Sequence, residues 1–524
     1  MQTIPHLFNT AVEHFGSSTA LIEPLEGNEL STLTYQDLQG RVERFAGFLQ
    51  EQQVTKGERI LIWSPSRINW LIAYLGALKA GMVIVPLDVN TREDFLSRIA
   101  ETTEAKFLVT TQKQYKSLKG SSLPLIDIEA LPEGVLDATK LPKLDEQDMA
   151  EIVFTSGTTG QPKGVMLSHR NIVSNVQAAV RVVPIQAQDR ALSILPLSHM
   201  FELTIEIALL HIGASIIYAR TLSPETILHL FSTQHATVMV LVPQALQLFL
   251  NGVEREVRRR KQEKQWKMLQ TIAAYLPFEL RRYLFNSVHQ RFGGKFRFFV
   301  SGGAYLPPEL GKSWEAMGFR VIQGYGATEC SPVISANPFH DHNLTSIGRA
   351  LPGVEILIAP DSEILVRGPN ITLGYWKNSE ATAEALKDGW YHTGDLGYLD
   401  ARHNLYLKGR KKNLIVLANG LNVYPEDVEN VLQKQDHLKD AVVLGLTENG
   451  RGPEVHAVLL LEDGQQEKAR TLIQQANKQL AAHQQIKSFT LWPEQDFPRT
   501  HTLKVKRQEV LTELQKLREE QKSH

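Results

Sequence analysis

The stretch Thr155-Ser-Gly-Thr-Thr-Gly-Gln-Pro-Lys-Gly164 follows without a break on the run Glu151-Ile-Val-Phe-Thr155. The short apolar run reads as a buried strand. The loop after it is made of hydroxyls and glycines, Thr155, Ser156, Gly157, Thr158, Thr159 and Gly160, and closes on Lys163. Glycines let backbone N–H groups approach a ligand, hydroxyls add donors and the lysine adds positive charge, so such a loop suits phosphate oxygens. It is not a Walker A loop, because the spacing G-x-x-x-x-G-K-[ST] occurs nowhere in the chain.

Outward from this loop the chain alternates apolar runs with amphipathic segments. Tyr35 to Gln50 has helical spacing, Arg59-Ile-Leu-Ile-Trp63 is a strand, Trp70 to Ala80 is an apolar helix, and Gly81 to Leu87 is another strand. Phe107 to Thr110, Ile216 to Tyr218, Ala236 to Val242 and Phe296 to Val300 continue the series. Buried strands alternating with helices predict an α/β fold with parallel-rich sheets flanked by helices. From about Glu355 the texture changes to short strands with Gly and Asp turns, which predicts a β-rich subdomain. A further α/β segment of about a hundred residues follows Gly409-Arg410, small enough to be a separate domain. The expected organisation is a large domain over 1–409, β-rich from about 350, and a small mobile C-terminal α+β domain over 410–524.

The chain has 524 residues, with 56 Lys+Arg against 57 Asp+Glu and a net charge of −1, so no global field attracts a nucleic acid. Cys330 is the only cysteine, which excludes an internal disulfide and every multi-cysteine metal site. Residues 1–18 lack a basic segment followed by an apolar one, and no apolar run reaches the length of a membrane span. A soluble cytoplasmic protein is expected. Hydrolase G-x-S-x-G and metalloprotease H-E-x-x-H motifs are absent. His340-Asp-His342 reads as a solvent-facing loop rather than a metal site, since no further ligands adjoin it.

Together with the first loop, Gln323-Gly-Tyr-Gly-Ala-Thr-Glu329 resembles the signatures of the adenylate-forming superfamily, which includes acyl-CoA synthetases, luciferases and the adenylation domains of peptide synthetases. The resemblance spans essentially the whole chain, in the family's motif order. As a Rossmann fingerprint the second stretch fails, because Glu329 stands where the third glycine belongs. The resemblance implies a nucleotide pocket formed with Gly324, Tyr325 and Gly326, in which Tyr325 stacks on adenine, Thr328 contacts the α-phosphate and Glu329 holds Mg²⁺. A carboxylate suits a hard cation, and a π face suits a base. Gly302, Gly303 and Ala304 of Val300-Ser-Gly-Gly-Ala304 resemble the adenine-side turn. Asp395 of Gly389-Trp-Tyr-His-Thr-Gly-Asp395 takes the place that binds both ribose hydroxyls, with Arg410 beside it.

The remaining motifs lie toward the C-terminus. Lys412 stands at the family's interdomain hinge, and Gly420, Leu421 and Asn422 of Gly420-Leu-Asn-Val-Tyr-Pro-Glu426 match the segment lining the thiol's entry path. Pro498-Arg-Thr-His-Thr-Leu-Lys504 resembles the terminal lysine motif closed by Arg507, with Leu503 where the family has glycine. Leu195-Pro-Leu-Ser-His-Met-Phe-Glu202 resembles the acyl-pocket motif of long-chain fatty acyl-CoA synthetases; His199 reads either as a residue flanking the carboxylate or as a core histidine bonded to backbone. The family implies ATP, Mg²⁺ and CoA, and conversion of a medium- or long-chain fatty acid through an acyl-adenylate. A ligase loading an acyl carrier protein is the alternative, and a non-catalytic acyl or nucleotide sensor is the alternative from another class. The seven basic residues between Arg255 and Lys267 read as one helix: a solvated face, a membrane-surface helix with Val257, Trp266 and Met268 on its apolar edge, or a dock for an acidic carrier protein.

Overall fold

The computed structural model describes every residue except Met1, 26–28, 119–122, 156–161, 222, 342, 449–450, 463, 500–504 and 523–524. It divides into two compact units, Met1–Ile356 with Val366–Tyr391 and Leu357–Leu365 with His392–His524.

The first unit is α/β. A seven-stranded sheet has a parallel centre that includes Arg59–Trp63, Val83–Leu87 and Met149–Thr155, edged by the antiparallel strands Lys163–Ser168 and Gly374–Tyr375. A nine-stranded sheet carries Arg190–Ser193, Val238–Leu241, Phe298–Ser301 and Arg320–Gly326 in parallel, with antiparallel strands at both ends. Alternation explains why the strand sequences are apolar throughout. Ile60, Ile62 and Ile84 point into one core cluster, while Leu61, Trp63, Val83 and Val85 point into another on the opposite face.

The helices Ile68–Lys79 and Met200–Ile212 are buried almost all round. They share a core with residues of both sheets, including Ile60, Val165, Ile216 and Val300, so they form a layer between the sheets. Ordinary surface helices start on capping side chains instead: Thr34 and Asp37 cap Tyr35–Glu51, and Ser168 and Asn171 cap His169–Val182.

The basic stretch departs from expectation, because it is not one helix. Pro243–Arg259 ends in a Schellman-type turn in which Lys261 is left-handed, Gln262 N donates to Val257 O and Lys261 N donates to Arg258 O; Glu263–Ala274 then starts afresh. The cause is the apolar stripe. Leu246, Leu250 and Val253 face the core, but continuing that stripe past Val257 would bury Arg260, Lys261 and Lys264. The break resets the phase so that Trp266, Leu269 and Ala273 face inward. Val257 and Trp266 are therefore not an exposed apolar edge; Trp266 packs edge-on against Phe285.

In the second unit the long strands Leu438–Glu448 and Arg451–Leu461 pair antiparallel, Ser488–Leu491 joins in parallel, and the helices Pro425–Leu432 and Ala469–Asn477 cover one face. No helix among the described residues is long and apolar enough to cross a membrane.

Candidate active site

In the first unit the strands Met149–Thr155 and Lys163–Ser168 form a hairpin that pairs Thr155 with Lys163. The two residues that flank the hydroxyl-rich stretch, Thr155 and Lys163, are thus paired neighbours on strands rooted in the core. Ser156, Gly157, Thr158, Thr159 and Gly160 lie outside the described residues. Lys163 is held by its neighbour strand: Tyr375 pairs with Val165, and the Lys163 ammonium lies 5.1 Å from the centre of the Tyr375 ring.

The Tyr375 hydroxyl donates to Glu329 Oε1 at 2.9 Å. Burial, followed by the Glu329 charge, pushes that hydroxyl far above its usual pKa, so it stays a donor. Glu329 O also accepts from Thr372 N at 2.8 Å. Glu329 lies with Thr328 on the short turn Thr328–Cys330, directly after the strand Arg320–Gly326 that carries Gly324 and Tyr325.

This turn has a rigid floor. Asn175 Nδ2 donates to Val333 O at 2.7 Å, Asn370 Nδ2 to Cys330 O at 2.8 Å, Ser331 Oγ to Asn370 O at 2.9 Å and Thr204 Oγ1 to Ser331 O at 3.3 Å. Buried polar groups satisfied in this way lock one conformation. Gly326 has a packing reason as well, since a Cβ there would lie 1.8 Å from Pro332 O.

Phe298–Ser301 and Arg320–Gly326 are parallel neighbours that pair Ser301 with Gln323, so the Gly302-Gly303-Ala304 turn leaves the sheet beside the Gly324 segment. Ligands of parallel sheets gather at such C-terminal strand ends. The Phe201 ring fills the space over Gly302, where a Cβ would approach it to 2.8 Å. His199, half-buried, precedes the first turn of Met200–Ile212, so the turn and the His199 motif adjoin through Phe201.

The second unit carries its own cluster. Asp395 is buried and pairs in register with Arg410, whose Nε lies 2.7 Å from Asp395 Oδ1. Asp395 N donates to Thr393 Oγ1 at 3.0 Å, and Thr393 Oγ1 donates to Ile364 O at 2.7 Å. Lys411, beside Lys412 on the turn Lys411–Asn413, binds Asp361 at 2.6 Å and Glu363 at 3.0 Å. Gly420 and Leu421 lie at the exposed tip of a hairpin in which Ile415 pairs with Val423, and Asn422, also exposed, pairs with Val416.

Lys504 lies outside the described residues, whereas Arg499 and Val505 on either side of the undescribed stretch are defined. Arg499 bridges Val505 and forms ion pairs with Asp440 and Asp496, both at 2.7 Å. Arg507 grips Glu429 with two guanidinium bonds of 2.6 and 2.5 Å and donates to Val443 O at 3.0 Å.

Three features were not singled out in the sequence. Tyr375 sits on a two-residue strand with no periodicity to mark it. Glu429 is one of several acids in its helix. Glu202 and Glu206 form a buried carboxyl pair, with Tyr218 OH donating to Glu206 Oε2 at 2.7 Å. Burial raises both, Glu206 to about 8, and mutual repulsion adds to the rise of Glu202. Two acids four residues apart in an apolar helix were the available signal. At the His340 loop, Asp341 is committed to Arg349 at 2.7 Å.

The sequence profile described as AMP-binding enzyme matches residues 8–376, and that of the AMP-binding enzyme C-terminal domain matches 412–520. A long-chain-fatty-acid–CoA ligase of Mycobacterium bovis is 29% identical over 433 residues, 75% of this chain and 72% of that protein. A chloroplastic long-chain-fatty-acid–[acyl-carrier-protein] ligase of Arabidopsis thaliana is 27% identical, over 85% of this chain and 75% of its own. The structure of the o-succinylbenzoate CoA synthetase of Bacillus subtilis, in complex with its acyl-adenylate intermediate, superposes with a TM-score of 0.80 at 25% identity, over 97% of this chain and 98% of that one.

Proposed function

The chain belongs to the AMP-binding enzyme family, and from that premise we propose that it is an AMP-forming acid–thiol ligase for medium- or long-chain fatty acids, with CoA as the acceptor. One observation supports the reading most. Tyr375 ties the Glu329 carboxylate to the strand beside Lys163, which gives one surface both an anionic ligand for a cation and a cation for phosphate. The fatty-acid substrate draws on the Leu195 to Glu202 motif and on relatives that act on long-chain acids.

In the first half-reaction an acid carboxylate oxygen attacks the α-phosphorus of ATP. The new O–P bond replaces the bond to the β-phosphate oxygen, and pyrophosphate leaves. Lys163 draws phosphate oxygens toward the loop, Thr328 donates its hydroxyl to the α-phosphate, and Tyr325 stacks on adenine. Asp395 accepts from both ribose hydroxyls, with Arg410 holding the aspartate. Lys504 balances the negative charge of the carboxylate and phosphate oxygens, and His199 flanks the carboxylate. Glu329 would hold magnesium, which when bound would neutralise phosphate charge; a single carboxylate suits an ion that keeps most of its oxygens from phosphate and water.

In the second half-reaction the CoA thiolate attacks the acyl carbon and AMP leaves. Lys412 is the pivot that alternates the Lys504 loop with the Gly420 turn, a hinge-type change. An acyl carrier protein is the second acceptor to consider, because the plant relative is a ligase of that kind. Pyrophosphate release measured over fatty, aryl and amino acids, each with CoA or with carrier protein, separates these readings. Turnover with fatty acids and CoA is expected. Turnover with aryl or amino acids alone would overturn the substrate assignment, and none at all would favour a sensor.

A further inference from the structure

Three consecutive helices, Pro243–Arg259, Glu263–Ala274 and Phe278–Leu284, pack their inner sides against one core and leave the other sides exposed. Six of the fifteen exposed large apolar side chains among the described residues fall here: Leu248, Met268, Ile272, Tyr275, Leu280 and Tyr283. They protrude strongly, with Tyr275 86% exposed, Tyr283 74%, Leu248 67% and Met268 56%. On Glu263–Ala274 the outward stripe runs Lys264, Met268, Ile272 and on to Tyr275, opposite the buried stripe of Trp266, Leu269 and Ala273. The helix is therefore apolar on both sides, and only one side has a protein partner.

Charge accompanies the apolar groups. Between residues 248 and 283 there are nine basic and four acidic side chains, in a chain of net charge −1. Glu256 neutralises part of this by binding Arg259 at 2.7 Å and Arg260 at 2.6 Å, and those guanidinium groups hold its carboxyl down at about 2. Arg255, Arg258, Lys261, Lys264 and Lys267 have no ion-pair partner among the described residues. Protruding tyrosines and aliphatics on the same helices as lysines and arginines without ion-pair partners are the composition of an interfacial surface. The geometry points to a docking face for an anionic lipid surface, with Tyr275, Tyr283, Met268 and Ile272 entering the headgroup layer and the basic side chains meeting lipid phosphates. A lipid layer suits the scatter of single protruding side chains over three helices better than the compact pocket a folded partner would present. The inference is independent of the substrate assignment.

The test is co-sedimentation of the full chain with vesicles of phosphatidylglycerol and phosphatidylcholine in equal parts, and with phosphatidylcholine alone, at low and high salt. Two variants accompany the wild type: R255E/R258E/K264E, and Tyr275→Ser with Tyr283→Ser. All altered positions are exposed, and far-ultraviolet dichroism together with pyrophosphate exchange on a short soluble acid checks the fold. Salt-sensitive binding of the wild type to the anionic vesicles is expected. At roughly fivefold per basic side chain, charge reversal should weaken it about a hundredfold or more. The tyrosine variant should bind more weakly at every salt concentration. Wild type left in the supernatant with anionic vesicles at low salt, or charge-reversed protein bound as tightly as wild type, would overturn the proposal. Unchanged vesicle binding with a loss of turnover on an acidic carrier protein would overturn it in favour of a protein partner.

Discussion

Tyr375 donates to Glu329 while its ring carries the Lys163 ammonium, so a single hydroxyl separates two of its tasks. Tyr375→Phe keeps the ring and removes the donor. A hydrogen bond to a charged group is worth about 1.5–3 kcal/mol, so the magnesium concentration giving half-maximal pyrophosphate exchange should rise roughly tenfold or more. An unchanged magnesium titration would show that Glu329 is held in some other way. The pair Glu202 and Glu206 gives a second expectation, in stability rather than catalysis. Glu206 titrates at about 8 in the folded protein, well above an unfolded glutamate at about 4.3. Between those values the folded state keeps a proton the unfolded state has released, so stability falls as pH rises, by up to about 1.4 kcal/mol per unit for the group. Glu206→Gln should accordingly raise the Tm at about pH 8 and change it little near pH 5. Melting curves that shift equally at both pH values would contradict this. Neither device is legible in a motif scan, because Tyr375 sits beside Lys163 through strand register and Tyr218 meets Glu206 only where a strand packs on the preceding helix.

Local pattern reads most elements well. Ile60 and Leu61 belong to opposite cores, and the uninterrupted apolar run already implied a strand covered on both faces. In the basic stretch, charge density masks phase: Leu246, Leu250 and Val253 set a stripe that Arg260 and Lys264 cannot continue, so the chain breaks into two helices. The terminal lysine loop shows a different limit, since its motif names Arg507 but not the partner. Burial works against the Glu429 charge, and the Arg507 fork works for it. Arg507→Met would leave Glu429 buried and unpaired, at a cost of about 3–5 kcal/mol to the second unit, measured by denaturant unfolding. Adding Glu429→Met should recover much of that loss; no recovery would mean the pair is not the source. Lys504→Ala should abolish pyrophosphate exchange yet spare thioester formation from supplied acyl-adenylate, whereas Lys412→Pro should impair thioester formation more than exchange. Equal loss in both assays would remove the assignment of either lysine to a single half-reaction.

Across the whole chain, the alternation of strands and helices, the order of the motifs and the change of texture near residue 355 carried the fold class, and the family match over residues 8–376 agrees with it. What the chain order could not carry was proximity. Thr155 and Lys163 pair across a hairpin, but Glu329 meets Tyr375 across 46 residues and Asn175 reaches Val333 across 158. Such contacts are fixed by how sheets stack, and no spacing in one sequence encodes them. The central proposal is that a fatty acid is activated by attack on the α-phosphorus of ATP, and the fate of oxygen tests it most directly. A fatty acid labelled with heavy oxygen in its carboxylate is turned over with ATP, magnesium and CoA, and the products are weighed by mass spectrometry. One labelled oxygen in AMP, with none in pyrophosphate, is the expected result. Label in orthophosphate alongside ADP, or no label in any nucleotide product, would contradict it.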